Sequence, residues 1–283
     1  MSLWDVLIVI ISLRIKIVFV VFFALTPIIP VENAHAEDKI EVYFFNDSVN
    51  GFQLSDAYET HNMGLRYQTD DYYVQLDLGI VSPDMWVYKN KYRVANRSFG
   101  EVVTLELGQP VIDNSSIAYY LSVKSVGQFG IDEMQDFAHR ILSLQPVNEI
   151  NDIVRMPDAT WFGFGAQYNT QINAPVLGHT ILGAGAYLGS DRGSVQVSIS
   201  DTMSRRDVTY GYSIGLKAVT HDEIVTATPI EAELRHVIPY ASVGVEFDLL
   251  GYDVFVREIL SFPTIASDNN IFAVLNAGVA YKF

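Results

Sequence analysis

The sequence predicts an all-β protein: a twelve-stranded antiparallel transmembrane β-barrel with a short helix in an extracellular loop. Three observations support this prediction. The chain begins with an export signal, most of the remainder alternates polar and apolar residues with a period of two, and the last strand ends in an aromatic residue. A period of two is typical of strands that have one face against lipid and the other toward a polar interior.

Residues 1–36 have the order of a secretory signal peptide. Arg14 and Lys16 precede an apolar run, and the small-residue sequence Ala34-His35-Ala36 follows it. We expect cleavage after Ala36, which leaves residues 37–283 as the mature barrel. A transmembrane anchor is the alternative, but the two basic residues interrupt the apolar run that it would need.

The composition limits the classes of partner. The formal net charge is −15, which is not the balance of a nucleic-acid-binding protein. Cysteine is absent, so neither disulfide bonds nor a thiol nucleophile can be involved. An acidic exterior suits a surface on which divalent cations bridge anionic groups.

Twelve alternating segments follow the signal peptide, and an even number is what a closed bacterial barrel requires. Tight turns at Asp70-Asp71 and Leu250-Gly251 are expected at one rim, and the longer connections at the other, outside the cell. These longer connections are residues 46–60, 82–101, 127–160 and 259–269. The predicted strands are 39–46, 61–69, 72–81, 102–111, 118–126, 161–170, 178–188, 194–200, 209–219, 237–249, 252–260 and 270–283.

The last strand shows the alternation most clearly. One face carries an apolar and aromatic row, and the other carries smaller and polar residues. A terminal Phe with a Tyr two positions earlier resembles the C-terminal end of bacterial outer-membrane barrels, whereas an edge strand of a soluble sandwich fits the export signal less well. The two rows are Ala273, Leu275, Ala277, Val279, Tyr281 and Phe283, against Asn276, Gly278, Ala280 and Lys282.

One stretch, Gly127 to Leu144, has the period of an amphipathic helix instead. Gln135 and His139 are four residues apart and therefore lie on one helix face. Asp132 can cap the free amides at the start. A histidine beside an amide suits a general base, because imidazole titrates near neutral pH; a helical plug with a solvated polar face is the alternative.

Asn46 and Asp47 directly follow the first predicted strand. An adjacent amide and carboxylate are good oxygen ligands for a hard cation such as Ca²⁺, although the same pair is also common in simple turns. If His139 met Asp47 across the rim, base and metal together could activate water and stabilise an oxyanion.

Several of these segments together resemble the outer-membrane lipid A 3′-O-deacylase family, LpxR. They are Asn46-Asp47, Val81-Ser82-Pro83, Asn96-Arg97-Ser98-Phe99, and Gln135 to Ile141. The resemblance implies a twelve-stranded barrel whose site lies between the wall and a helix in an extracellular loop. It also implies Ca²⁺-dependent hydrolysis of the 3′-acyloxyacyl ester of lipid A, the lipid of lipopolysaccharide in the outer leaflet.

The resemblance gives each site residue a role. It implies His139 as the base that deprotonates water, Gln135 as its support, and Asn46 and Asp47 as organisers of metal and oxyanion, with Asp47 as the metal ligand. Arg97 and Lys91, with Lys89, are candidates for binding the anionic head group of lipid A; their alternative is a solvated loop charge.

One segment departs from the family pattern. The family places a functional hydroxyl where strand two begins; here the order is Tyr58-Glu59-Thr60-His61-Asn62-Met63-Gly64, and Asn62 falls in the hydroxyl's position. A catalytically inactive divergent member is therefore one alternative. A non-enzymatic porin or adhesin is another, and a serine esterase using Ser48, Ser55 or Ser82 is a third, which lacks a Gly-x-Ser-x-Gly elbow. Against a wide pore, the inward candidates Glu41, Tyr43, Arg66, Gln75 and Asp77 predict a filled lumen.

Overall fold

The computed structural model describes ten segments of the chain, which together contain the barrel strands. The predicted signal peptide lies outside them. The described residues are 38–46, 55–88, 91–95, 100–110, 117–130, 156–174, 178–205, 207–223, 234–261 and 272–283.

The strands form one closed antiparallel barrel, as predicted. β1 pairs with both β2 and β13, and β2 also pairs with β3, so the ring closes. Twelve strands form this ring, and β4 is a short hairpin addition that pairs with β3. The bounds are β1 Lys39–Asn46, β2 Ser55–Gln68, β3 Tyr73–Tyr88, β4 Lys91–Ala95, β5 Gly100–Gly108, β6 Ile117–Gly127, β7 Ala159–Ala174, β8 Gly178–Gly189, β9 Arg192–Arg205, β10 Val208–Asp222, β11 Val237–Leu249, β12 Tyr252–Ser261 and β13 Phe272–Lys282.

The prediction of a loop over residues 82–101 is wrong in part. β3 continues to Tyr88, and β4 folds back onto its end. Pro83 explains the error, because proline donates no backbone hydrogen bond and normally argues against a continuing strand. Pro83 pairs with no residue of β2, β4 or β5. Its missing N–H therefore costs the sheet no hydrogen bond.

The alternation along the strands separates a lipid face from a lumen face. On β13, Val279 and Tyr281 are exposed on the outside, while Asn276 and Ala280 are buried on the inside, as predicted. Exposed apolar side chains continue around the wall, for example on β5, β9 and β10, whereas the lumen carries polar and aromatic groups. An apolar belt on a closed barrel is the arrangement that a bilayer requires. Among the described residues, no helix is long and apolar enough to cross a membrane.

Lumenal rings lie flat over glycines of the neighbouring strand. In each case the ring occupies the space that a side chain at the paired glycine would need, so only glycine fits there. Such aromatic and glycine pairs fix strand register and allow the wall to bend. The pairs are Tyr43 with Gly64, Tyr73 with Gly108, Tyr120 with Gly165, Tyr240 with Gly215, and Phe255 with Gly278.

The connections divide between the two rims as antiparallel alternation demands. Asp38, Phe283, the connection Thr69–Tyr72 and the tight turn at Leu250-Gly251 share one rim, where Leu250 and Gly251 both have positive φ. The long connections predicted outside the cell leave from the other. That outer rim also has a connection of only Ser190 and Asp191 between β8 and β9, which was not predicted.

Candidate functional site

The structure places two of the predicted site residues on the sheet. Asn46 is the last residue of β1, and its Cα pairs with Leu275 of β13. Lys91 is the first residue of β4 and pairs with Tyr88. The other predicted site residues, Asp47, Arg97, Gln135 and His139, lie outside the described residues, so whether they meet stays a prediction.

The first residues of the predicted helical stretch are not helical. Gly127 is still the last residue of β6, and residues 128–130 have no helical structure, with Gly130 at a φ of 80°. The rest of the predicted helix, with Gln135 and His139, lies in the part of the chain that the structure does not describe.

β2 carries a bulge beside the end of β1. Thr60 pairs with Ile80 and Met63 with Leu78, so three steps on β2 match two on β3. The pairing of β1 with β2 ends at this level, where Phe45 meets Asn62. Bulges concentrate at barrel rims and next to active sites, where they redirect a side chain. The bulge falls within the segment that departs from the family pattern.

Both ends of the longest outer connection are anchored on β5. The Phe129 amide donates a 2.6 Å hydrogen bond to Oε2 of Glu101. At the other end, Met156 packs so closely on Gly100 that an added Cβ there would lie 2.9 Å from its Sδ. β5 lies on the β1 side of β6, so both described ends of the connection are held on that side, although the next strand, β7, lies on the opposite side.

Glu101 holds its position without access to solvent. Glu101 lies an even number of residues from the exposed Leu105 and Leu107, so it belongs to the same outer face. Only 1% of its surface is exposed, however. A buried carboxylate is stabilised only when hydrogen-bond donors satisfy it, and the Phe129 amide is one of them. The contact ties the start of the loop to the wall.

The lumen beside β1 to β5 is filled by a polar and aromatic network, as the inward candidates predicted. The Tyr43 hydroxyl donates to Asp77, which also accepts from Gln75 at 2.8 Å. The Arg66 guanidinium lies 4.0 Å from the centre of the Tyr73 ring. Glu41 pairs with Lys39 at 2.9 Å, and the Tyr73 hydroxyl donates to Glu106. These contacts give the network a structural role, although Nε of Arg66 is buried without a hydrogen-bond partner among the described residues.

A second lumenal cluster lies near the outer rim. Lys124 Nζ is 2.9 Å from Oδ2 of Asp191, and Oδ1 of Asp191 accepts from the Tyr187 hydroxyl at 2.8 Å. The Tyr187 hydroxyl is also 3.0 Å from Oγ of Ser122. Burial disfavours ionisation of Asp191, but Lys124 and the two hydrogen bonds outweigh it and lower the pKa of this turn carboxyl below 3.8.

The sequence analysis did not identify this cluster, because its members come from β6, β8 and the turn after β8. One local signal was present: the Ser190-Asp191-Arg192-Gly193 sequence is typical of a tight turn with an acidic residue. The partner of that acid, Lys124, is 67 residues away in the chain.

No group of three or more potential metal ligands occurs within the described ranges. Ring nitrogens of His221 and His236 bond the carbonyls of Gly189 and Val219. A calcium site would therefore depend on Asp47, beyond the described residues.

One apolar cavity lies on the lipid face. It is a groove of about 1000 Å³ across β7 to β12, lined chiefly by apolar residues such as Val197, Ile214 and Leu216. Its lining contains no carboxylate, histidine or basic group, and it lies on a different arc of the wall from Asn46. It offers no catalytic chemistry.

Comparison with known proteins supports the fold. No protein-family model matches the chain, and no curated protein sequence matches it. Among solved structures, the chain is similar to LpxR from Salmonella typhimurium, with a TM-score of 0.67 and 13% identity over 87% of this chain and 100% of that one. It is less similar to the NanC porin (TM-score 0.44, 7% identity, 87% and 100% covered) and to the β domain of the Bordetella autotransporter BrkA (0.44, 12%, 88% and 100%).

At 13% identity, the similarity to LpxR shows the architecture rather than the activity. The closed even-numbered ring, the apolar outer belt and the polar lumen agree with it. The chain is therefore a bacterial outer-membrane β-barrel of twelve wall strands, with a fold like that of LpxR.

Proposed function

We propose that this barrel is a lipid A deacylase that hydrolyses the 3′-acyloxyacyl ester of lipid A at the outer rim. The observation that supports this most directly is the anchoring of the long outer connection. Phe129 and Met156 hold its two ends at the start of β5, on the side of β6 that faces β1. In the proposal, residues 131–155, which include Gln135 and His139, extend from β5 toward the end of β1.

The distance to be covered is short enough for this connection. Four strand spacings separate β6 from β1 through β5, β3 and β2, which amounts to about 19 Å along the wall. A connection that starts at Gly130 and returns at Met156 reaches farther than that, even when part of it is helical. His139 in the connection and Asn46 at the end of β1 are therefore within reach of each other in the proposal.

The bulge in β2 supports the same place. It lies at the level where the β1 and β2 pairing ends, next to Asn46. An extra residue in a strand reverses the alternation of the side chains beyond it. The bulge therefore changes which of the side chains at residues 60–63 faces the loop. The bulge thus provides a physical way for this chain to present a hydroxyl or amide from a segment whose spacing departs from the family pattern.

In the proposed reaction, His139 takes a proton from water as the water oxygen attacks the ester carbonyl, and Gln135 orients the imidazole. The bond between the carbonyl carbon and the 3′-oxygen then breaks, His139 returns the proton to that oxygen, and the acyl group leaves as a carboxylic acid. Asn46 donates to the developing oxyanion, and Asp47 would hold a Ca²⁺ ion, which would supply positive charge to the same oxyanion. Arg97 and Lys91 bind the anionic head group of the lipid.

The experiment is mass spectrometry of lipid A from cells that express the wild type, His139→Ala or Asp47→Ala. We expect only the wild type to remove the 3′-acyloxyacyl group, and only without a calcium chelator. His236→Ala is the matched control, because His236 lies at the outer rim beside β10 and bonds the Val219 carbonyl. It should retain activity.

Folding must be checked in the same samples by the mobility shift that barrels show on heating before electrophoresis. If every folded barrel leaves lipid A intact, the deacylase proposal is wrong, and a non-enzymatic barrel or an inactive family member replaces it. If His139→Ala retains activity while the wild type is active, a different base is used. Activity that is lost with a serine-directed reagent would favour the serine esterase alternative.

A further inference from the structure

The lumenal wall of β9 to β12 differs from the filled side of the barrel. Glycine, serine and threonine occupy most of its inward positions, and these small residues leave a polar cavity of about 330 Å³, which we call the lumenal recess. This volume is at the lower end of the range for small-molecule sites. The lumenal side chains that define it are Asn169, Ser198, Ser200, Thr202, Thr209, Ser213, Ser242, Glu246, Phe255 and Arg257, with Gly211 and Gly244.

Strand register explains why the recess exists. Gly211 of β10 pairs with Gly244 of β11, so the middle row of the wall has no side chains at its centre. Thr202 of β9 and Arg257 of β12 pair with these two glycines and form the sides of that row. The row toward the outer rim is closed at its centre by Ser213 and Ser242, whose hydroxyls are 2.7 Å apart.

Arg257 is the group that indicates a ligand. It is exposed to the lumen and forms no hydrogen bond or ion pair with any residue that the structure describes. Other lumenal cations have partners: Lys39, Lys124 and Lys282 each pair with a carboxylate, while Arg66 and Arg192 lie over tyrosine rings. A guanidinium presents five fixed donors that match a carboxylate or phosphate.

The neighbours of Arg257 limit the class of anion. Hydroxyl groups of Ser200, Thr202 and Thr209 line the recess, and Glu246 stands one row below as an acceptor that also disfavours a second negative charge. Phe255 adds an apolar ring face in the same row as Glu246. Donors, acceptors and one ring face around a single cation are suited to a small anion that also carries several hydroxyl groups.

We propose that the lumenal recess binds a small polyhydroxylated monoanion, with its acidic group on Arg257 and its hydroxyls on the serine and threonine rows. This function is independent of lipid A hydrolysis, since none of its residues belongs to the outer-rim site. The probe is D-glucuronate, and the comparison ligands are D-glucose and inorganic phosphate. Binding is measured by isothermal titration calorimetry on the purified full-length barrel in detergent.

We expect saturable binding of glucuronate to the wild type and at least tenfold weaker binding of glucose and of phosphate. Arg257→Gln should weaken glucuronate binding at least tenfold. Arg205→Gln is the matched control, because Arg205 is exposed at the end of β9, outside the recess, and it should bind like the wild type.

A second variant tests the cavity itself. A Cβ at Gly211 would meet its nearest atom, Cγ2 of Thr202, at an ordinary 3.7 Å, so Gly211→Val adds bulk to the recess without displacing the wall. It should abolish binding while Arg257 remains in place. Equal affinity for glucose would show that Arg257 does not recognise the anion, and equal affinity for phosphate would remove the role of the hydroxyls. Absence of glucuronate binding in the millimolar range, or unchanged binding by Arg257→Gln, overturns the proposal.

Discussion

Replacing Lys124 by methionine should destabilise the barrel more than any exposed ion-pair substitution. The change keeps the length of the side chain and removes its charge, so Asp191 loses its ion-pair partner and keeps the hydrogen bond from the Tyr187 hydroxyl. The side chain of Asp191 is 1% exposed and that of Lys124 is 15% exposed. Water therefore cannot replace the lost ammonium group.

The geometry sets the size of the effect. At 2.9 Å, two unit charges attract by about 6 kcal/mol at an effective dielectric constant of about 20. The desolvation of lysine offsets part of this attraction, and breaking a buried pair by removing one partner typically costs roughly 3–5 kcal/mol. We expect the free energy of unfolding of Lys124→Met to fall by an amount in that range, with little dependence on salt.

The assay is urea unfolding in detergent micelles followed by tryptophan fluorescence. Trp161 pairs with Lys124 in register and reports on this part of the wall. Lys282→Met is the control: Lys282 pairs with Asp253 at 2.7 Å but its side chain is 57% exposed, so its loss should cost less than about 1 kcal/mol. If Lys124→Met also lost less than about 1 kcal/mol, the buried pair would not hold the outer turn, and the reasoning would be refuted.

Three further predictions concern Asp191, Gly165 and Glu101. Because the folded pKa of Asp191 is lowered from its ordinary 3.8, its stabilisation is present above that pH and is lost as the pH falls through the folded value; acid unfolding below about pH 3.8 should weaken in Asp191→Asn. Gly165→Ala forces a methyl group into the Tyr120 ring and should lower the free energy of unfolding in urea by about 1–3 kcal/mol, whereas Gly211→Ala, whose added methyl group would lie at an ordinary 3.7 Å from Cγ2 of Thr202, should cost less. Glu101→Ala frees the Phe129 amide, so limited proteolysis within residues 131–155 should accelerate while the barrel stays folded; an unchanged cleavage rate would mean that this contact does not anchor the loop.

The wall of the barrel was predictable because membrane burial imposes a strict period of two. β1 and β11 have the predicted bounds, and the two faces of β13 are those that the sequence indicates. β4 was missed because Pro83 breaks the local pattern, although the sheet tolerates a proline that has no ladder partner. The alternation of polar and apolar residues describes one strand at a time. It does not show how a neighbouring strand accommodates an irregular residue.

Contacts between distant strands were not predictable in the same way. The ion pair between Lys124 and Asp191 joins residues 67 positions apart, and the glycine row of the lumenal recess depends on the register between Gly211 and Gly244. A one-residue slip in the register of these strands would turn their lumenal side chains toward the lipid. Among the catalytic candidates, Asn46 lies on a described wall strand, whereas His139 lies beyond the described residues. The predicted meeting of these residues therefore stays a prediction.

The two proposed sites use different residues, although their strands are close. The outer-rim site involves β1, β2 and the connection held by β5, whereas the lumenal recess involves β9 to β12, and β13 lies between β12 and β1. Arg257 pairs with Asn276, which in turn pairs with Phe45 beside Asn46. Because the two sites share no residue, His139→Ala should leave glucuronate binding unchanged, and Arg257→Gln should leave lipid A hydrolysis unchanged. A variant that alters both readouts would show that the lumen and the rim are coupled across β13. If hydrolysis fails in the wild type but the recess binds its probe, the barrel acts on solutes in its lumen rather than on the lipid around it.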